Sequence, residues 1–201
     1  MKRFALLCGA MLLFAGIASA QDDSKVTVFG GYSYLRFNPG NGVNGANFNG
    51  GSGSIAYNVL PWVGVVADIG GYHWGGSSSE GVTGSTAVSY LFGPKVSYHA
   101  GPIVPFVHAL FGGVHGSISG STCVPPPDSR VRPEGCTTQS ETFSDNVFGM
   151  ALGGGVDWNA TPHIGVRLVQ AEYVLTKFNA NFAGSTSQNN VRISTGVTFR
   201  F

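Results

Sequence analysis

The last eleven residues, Val191-Arg-Ile-Ser-Thr-Gly-Val-Thr-Phe-Arg-Phe201, alternate apolar and polar side chains up to the final aromatic residue. Successive side chains of a β-strand point to opposite faces, so one face of this segment is largely apolar and the other is polar. A soluble protein rarely ends on such a strand, because its open edge could pair with other chains. A closed barrel removes the edge, and the two faces suit lipid outside and a polar interior. The segment therefore predicts the closing strand of a membrane β-barrel.

The composition agrees with a membrane barrel. Charged residues make up 10% of the chain, well below the roughly 25% of ordinary globular proteins. No stretch after residue 20 is apolar enough for a transmembrane helix. The 31 glycines, 14 Phe, 7 Tyr and 3 Trp fit curved strands with aromatic girdles, although a soluble Gly-rich sandwich would share them. The formal net charge of +1 leaves no strongly basic face, so we expect no nucleic-acid partner.

The N-terminus predicts export through the inner membrane. Lys2 and Arg3 precede an apolar stretch over 4–17, and Ala18-Ser-Ala20 forms a small-residue cleavage site. About 14 apolar residues are too few for the roughly 20 that span a bilayer, which argues against the alternative of a membrane anchor. We expect a removed signal over 1–20 and a barrel domain over 21–201. Without Lys2 and Arg3, the net charge of +1 becomes −1.

Eight segments have the length that a tilted membrane strand needs, about 9 to 11 residues or somewhat more. They cover 26–37, 48–60, 62–74, 85–98, 103–116, 145–159, 163–177 and 191–201. The connections alternate between tight turns and long loops rich in Gly, Asn and Ser, as in barrels with both termini in the periplasm. The turns fall at 60–62, 99–102 and 159–162, and the loops at 38–47, 75–84, 117–144 and 178–190. The sequence thus predicts an all-β fold, an eight-stranded antiparallel up-and-down transmembrane β-barrel.

Alternation within the strands assigns charged side chains to the interior and places Trp158 at the periplasmic interface. The expected inward charges are Asp68, Lys95, Asp157, Arg167, Glu172, Arg192 and Arg200, together with His108. An eight-stranded barrel is just wide enough for side chains to fill it, so these groups should pair across the lumen. A gated pore or proton path is the alternative interpretation.

The seventh predicted strand carries a conflict between two charges. Arg167 and Glu172 have opposite parity, and an Arg facing lipid near the midplane costs roughly 2–4 kcal/mol. We therefore predict a β-bulge between them that lets both side chains face inward.

Several segments resemble the small OmpA-like outer-membrane barrel family. They are Phe29-Gly-Gly-Tyr-Ser-Tyr-Leu35, Pro105-Phe-Val-His-Ala-Leu-Phe111, the stretch from Gly149 to Thr176 with its Gly-Gly-Gly-Val-Asp-Trp hairpin, and the closing strand. The resemblance implies an eight-stranded barrel that serves envelope structure, surface adhesion or stress resistance without enzymatic activity. The peptidoglycan-binding domain of the family's namesake has no counterpart, so a cell-wall tether is not expected.

The ending Gly-Val-Thr-Phe-Arg-Phe also resembles the C-terminal signal that the outer-membrane barrel assembly machinery reads. The resemblance assigns this role to Gly196, Val197, Phe199 and Phe201. It implies outer-membrane lipid, lipopolysaccharide and the assembly machinery as partners, and leaves room for an extracellular ligand bound through the loops.

Cys123 and Cys136 are the only cysteines after the predicted signal, and they bracket a Pro-rich stretch in the third long loop. In an exported protein two lone cysteines favour a disulfide, worth about 3 kcal/mol for a loop of this size on the chain-entropy model. A metal site is the alternative, although two cysteines without a nearby His pair are a poor ligand set. The braced loop suits either surface adhesion or simple resistance to proteolysis.

An enzyme and a channel remain alternatives to a structural barrel. His115 and Ser117 share a strand face, with Glu134 and Glu141 nearby along the chain, and they resemble the His-x-Ser arrangement of outer-membrane lipid A deacylases. The surrounding deacylase pattern is missing. No phosphate-binding Gly loop and no tandem His or carboxylate motif is present, so we expect no cofactor and no metal. Passage of small solutes would make the barrel porin-like.

Overall fold

A computed structural model describes residues 24–39, 45–75, 82–99, 101–124, 137–178 and 187–201, and only the backbone of 82–83, 121–124 and 137–139. Eight antiparallel strands form a closed barrel. Their bounds are β1 Val26–Phe37, β2 Ala46–Asn58, β3 Val63–Trp74, β4 Val82–Ser97, β5 Ile103–Val124, β6 Thr137–Asn159, β7 Ile164–Thr176 and β8 Gln188–Arg200. The described residues contain no helix that could cross a membrane.

Each strand pairs with its neighbours in sequence, and β1 closes the barrel against β8. The closing ladder runs from Thr27↔Arg200 to Arg36↔Val191. It is continued by a reciprocal pair of backbone hydrogen bonds between Val26 and Phe201, of 3.0 and 2.9 Å. The predicted fold class is therefore confirmed, and the aromatic strand that ends the sequence has no open edge.

The tight turns lie at the end of the barrel where β1 begins and β8 ends, which we call the terminal end. In the turn between β4 and β5, Gly101 has a φ of 67°. This left-handed conformation is one that glycine adopts without a steric penalty. The strand ends that the longer connections join lie at the opposite end, which we call the distal end. The predicted alternation of short and long connections is thus present.

One prediction was wrong in extent. Residues 117–144 were expected to form a loop, but β5 and β6 continue as a paired hairpin as far as Val124↔Thr137. A hydrogen bond of 3.1 Å between the hydroxyls of Ser119 and Thr142 crosses this extension. The sequence here is rich in Ser, Thr and Gly because a ribbon that projects beyond the barrel has no face against lipid. All other predicted strand ends lie within three residues of the observed ones.

The outward surface of the barrel is apolar and the inward surface is largely polar. In β8, the side chains of Val191, Ile193, Val197 and Phe199 are all at least 40% exposed. Trp62, Tyr98 and Trp158 are exposed near the terminal end, where their amphipathic rings suit a membrane–water interface. Inside, a small apolar layer crosses the lumen, and it consists of Ala56, Val66, Leu91, Leu110, Ala151 and Val174.

Candidate functional site

Arg192 is the centre of a buried ion cluster in the lumen. Its Nε and Nη2 donate to the two carboxylate oxygens of Glu172 at 2.5 and 2.7 Å. Its Nη1 donates to Asp68 at 2.8 Å and to the Tyr72 hydroxyl at 3.1 Å. The guanidinium therefore bridges β3, β7 and β8 and holds two carboxylates at once, in the bidentate geometry for which Arg is suited.

Glu172 extends this cluster toward a second one. Its Oε1 lies 2.8 Å from His108 Nε2, and its Oε2 accepts a hydrogen bond from Gln170 Nε2 at 2.9 Å. The side-chain Oε1 of Gln170 in turn accepts a hydrogen bond from Arg167 Nη1 at 2.5 Å. Gln170 thus joins Arg167 to Glu172, and Glu172 is in turn held by Arg192. Each of these side chains is buried.

The second cluster is a bidentate pair of Arg167 and Asp157. The Nε–Oδ1 distance is 2.7 Å and the Nη2–Oδ2 distance is 3.1 Å. The guanidinium also lies 4.2 Å from the centroid of the Phe29 ring and 4.5 Å from that of Phe106. Two aromatic rings therefore cover the charge, a contact that gains strength when it is desolvated.

The β-bulge predicted in β7 is present. The register shifts by one residue between Arg167 and Gln170 against β8, and a matching shift occurs against β6. Leu168 and Val169 both point outward, while Arg167 and Gln170 on either side are buried. The extra residue lets Arg167 and Glu172 share the lumen despite their opposite parity in the sequence.

Two glycines of the Gly-Gly-Gly segment in β6 make room for this network. A Cβ at Gly153 would lie 2.7 Å from Cγ of Glu172, and a Cβ at Gly155 would lie 2.8 Å from the Phe106 ring. Each would also lie within 2.4 Å of a backbone carbonyl oxygen of β7. These glycines therefore allow close packing beside bulky interior neighbours.

Two of the predicted inward charges do not join an ion pair. Lys95 is buried, but within the described chain no carboxylate oxygen lies close enough for a salt bridge, and its Nζ lies 4.5 Å over the Phe106 ring. The nearby acids are already held by the two arginines. Arg200 is not in the lumen network either. It lies partly exposed at the rim, where its Nη2 donates to the Thr161 carbonyl at 2.6 Å, because the last strand residue reaches only the adjacent turn.

Among the described residues, small cavities lie on either side of the ion clusters. One of about 70 Å³ lies toward the distal end, and one of about 10 Å³ lies toward the terminal end. The smaller cavity, bordered by Asp68, Lys95 and His108 among others, has room for about one water molecule. The apolar layer and the Arg192 cluster lie between the two spaces.

The His-x-Ser arrangement does not form a catalytic pair. His115 Nδ1 lies 3.0 Å from Asn146 Oδ1, and the Ser117 hydroxyl lies 2.7 Å from that of Thr86. No hydrogen bond joins His115 to Ser117 among the contacts that the structure describes. Glu134 lies outside the described residues. Within the same part of the chain, no group of three or more metal-ligating side chains comes together.

The proposed disulfide cannot be placed, because Cys136 and the side chain of Cys123 lie outside the described residues, as does the predicted signal at 1–20. The residues of the C-terminal signal are described. Val197, Phe199 and Phe201 face outward, whereas Gly196 faces in, where an added Cβ would lie 2.9 Å from the Phe29 ring. Gly196 thus leaves space for one of the rings that cover Arg167.

Sequence reasoning missed the uncharged members of the network. Tyr72 and Gln170 are buried and hydrogen-bonded to the arginines, and Phe29 and Phe106 stack on Arg167. Strand parity could have identified Tyr72, which shares a face with Asp68. Gln170 could not be assigned, because it lies next to the bulge whose position the sequence leaves open.

A closed eight-stranded barrel with an apolar outer wall and a filled polar interior defines a small outer-membrane β-barrel. The chain belongs to the outer membrane protein beta-barrel domain family, whose model matches residues 5–201. This membership points to the outer membrane as its location.

Several solved structures share the fold. Ail, the attachment invasion locus protein of Yersinia pestis, aligns with a TM-score of 0.59 at 19% identity over 88% of this chain and 97% of its own. Neisserial surface protein A aligns with a TM-score of 0.64 at 13% identity over 89% and 98%. A major outer membrane protein of Thermus thermophilus aligns with a TM-score of 0.50 at 14% identity over 87% and 99%. No curated protein sequence matches the chain.

Proposed function

We propose that this protein is a non-enzymatic, non-conducting outer-membrane barrel that serves envelope structure and surface contact. The observation that carries this proposal is the filled lumen. Arg192 and Arg167 hold Glu172, Asp68 and Asp157 in buried bidentate and bridging contacts, and the adjacent apolar layer closes the space between them. A barrel whose interior is occupied in this way offers its outer surface and its projecting segments for function.

The projecting β5–β6 hairpin is the segment best placed for surface contact. β7 pairs with β6 only as far as Gly149↔Thr176, whereas β6 continues outward to Thr137. Twelve residues of β6 therefore extend past β7, which at about 3.3 Å per residue is roughly 40 Å of strand. A proposed Cys123–Cys136 disulfide would brace the tip of this hairpin against proteolysis and fraying.

The proposal includes a route and an orientation. Residues 1–20 direct export and are removed, and the closing strand with Gly196, Val197, Phe199 and Phe201 is read by the barrel assembly machinery. Both chain ends then face the periplasm, and the hairpin faces outward beside lipopolysaccharide. His115 and Ser117 contact Asn146 and Thr86 and not each other, which argues against lipid A acyl hydrolysis.

Shortening the hairpin tests the surface role. Ser117 and Ser144 are directly paired, so replacing 118–143 with Asn-Gly gives the two-residue turn that suits such a pair. Cells of a Gram-negative host that express the full chain should self-aggregate and remain on polystyrene, and cells with the shortened chain should behave as vector-only cells. Both variants should keep the heat-dependent gel shift of a folded barrel. Equal aggregation and retention with full and shortened chains would overturn the surface role.

A further inference from the structure

The cavity of about 70 Å³ at the distal end of the lumen is lined mainly by apolar side chains. These include Phe37, Phe48, Leu91, Val114, Val174 and Phe178. The Phe37 ring contacts the rings of Phe48 and Phe178 edge to face, with centroid distances of 6.2 and 6.4 Å. An apolar cavity of about 150 Å³ holds a benzene molecule and stays dry. A space of half that size suits the end of a slimmer group, such as an alkyl chain.

Two polar side chains at the floor of the cavity, Arg192 and Thr176, already have hydrogen-bond partners. Arg192 is held by two carboxylates and the Tyr72 hydroxyl. The Thr176 hydroxyl donates to Gln188 at 3.2 Å and accepts from the Asn190 amide at 3.1 Å. No charge at the floor is left to bind an ionised head group, so the chemistry of the cavity favours the apolar end of a ligand.

An apolar approach leads to the cavity along the inner face of the projecting hairpin. Residues paired across strands point to the same side, so Ile118 and Phe143 lie on one face. Ile118 borders the cavity, and Phe143 is 61% exposed although it is a large apolar residue. Asp145 lies on this face between Phe143 and the barrel and is partly exposed. Its negative charge disfavours an anionic head group beside the approach.

We propose that this cavity binds the end of a single uncharged aliphatic molecule, which comes from the aqueous side along Ile118 and Phe143. The terminal carbons would fill the space among the phenylalanines, and the polar head would stay in water beyond Phe143. A membrane lipid is not the expected source, because the approach runs along the inner face of the hairpin, on the side opposite the lipid-facing wall. This ligand site goes beyond the proposed envelope role, and the experiment that tests it is independent of the one that tests that role.

One position offers a matched pair of variants. Ser89 lines the cavity, and its buried Oγ makes no hydrogen bond to any described residue. An unsatisfied hydroxyl weakens an apolar site. Ser89→Ala should therefore bind an alkyl chain at least as well as the natural protein does. Ser89→Leu should occupy the space itself and abolish binding.

Trp74 provides a local reporter. Its ring centroid lies 6.3 Å from that of Phe48, and the chain has 3 tryptophans. In a Trp62→Phe/Trp158→Phe background in phospholipid nanodiscs, its fluorescence would be titrated with 6-bromohexan-1-ol, a quencher. We expect saturable quenching that Ser89→Ala retains and Ser89→Leu loses, and weaker quenching by 6-bromohexanoate. The heat-dependent gel shift shows that each variant is folded, and Ala87→Leu replaces Ser89→Leu if the latter fails to fold.

Three results would overturn the proposal. Quenching that rises linearly with concentration in every variant would show partition into lipid and no site. Equal saturable quenching by the alcohol and the carboxylate would contradict an uncharged ligand. Quenching of Trp74 by phospholipids with brominated acyl chains, lost in Ser89→Leu, would identify the membrane as the source of the chain.

Discussion

Replacing Arg192 with Met should destabilise the barrel strongly, because this side chain holds two buried acids. Arg192→Met removes two hydrogen bonds to Glu172, one to Asp68 and one to Tyr72. Removing one partner of a buried ion pair leaves an uncompensated charge and costs about 3–5 kcal/mol. At about 1.4 kcal/mol per tenfold change, the equilibrium between folded and unfolded protein should move by more than a hundredfold.

Urea titration of the protein folded in phospholipid vesicles would measure this change, with the heat-modifiable gel band as the folded fraction. The triple variant Arg192→Met/Glu172→Gln/Asp68→Asn removes the stranded charges together and should recover most of the lost stability. Lys95→Met is the matched control, because it deletes a buried cation without breaking an ion pair in the described chain. Lys95→Met should lower the free energy of unfolding by less than about 2 kcal/mol, the scale of a desolvated cation–π contact. A loss under about 1 kcal/mol for Arg192→Met, or a triple variant as unstable as the single one, would refute the reasoning on buried pairs.

Three further changes test separate parts of the account. Gly155→Leu should lower the free energy of unfolding by at least roughly 1–3 kcal/mol, the cost of an overpacked core, since an added Cβ would lie 2.4 Å from a backbone carbonyl oxygen. An unchanged urea midpoint would contradict the close packing. Cys136→Ser and Cys123→Ser should each abolish a reductant-dependent shift on gels and speed cleavage of the hairpin by protease, and a shift that survives would exclude this disulfide. Phe201→Ala should reduce the amount of barrel in isolated outer membranes while leaving refolding in detergent unchanged, whereas normal amounts in the membrane would argue against its role in assembly.

The fold could be predicted because the outward side of each strand contacts lipid, which imposes an alternation that the sequence displays directly. This alternation also placed Asp68 and Asp157 in the lumen. The same rule explains the wrong prediction for 117–144. Once the strands leave the membrane, neither face needs to be apolar, so the projecting part of the hairpin resembles a loop in sequence.

The partners within the lumen could not be predicted from the sequence. Asp157 and Arg167, and Glu172 and Arg192, are cross-strand partners on adjacent strands, and their pairing depends on a register that the bulge in β7 shifts by one residue. Asp68 and Arg192 lie on strands that are not adjacent, and strand alternation carries no information about their relative heights. Lys95 illustrates this limit, since it faces inward yet lies on an aromatic ring because the nearby carboxylates are held by arginines. Gln170 joins the two clusters only because of the bulge beside it.

Single-channel recording tests the central claim of a filled, closed lumen most directly. The purified full-length barrel would be inserted into planar lipid bilayers and its current recorded under an applied voltage. The account predicts no stable unitary conductance above that of protein-free membranes, because buried ion pairs and an apolar layer close the interior. Reproducible, ion-selective current steps that disappear on heat unfolding would contradict it and identify a channel.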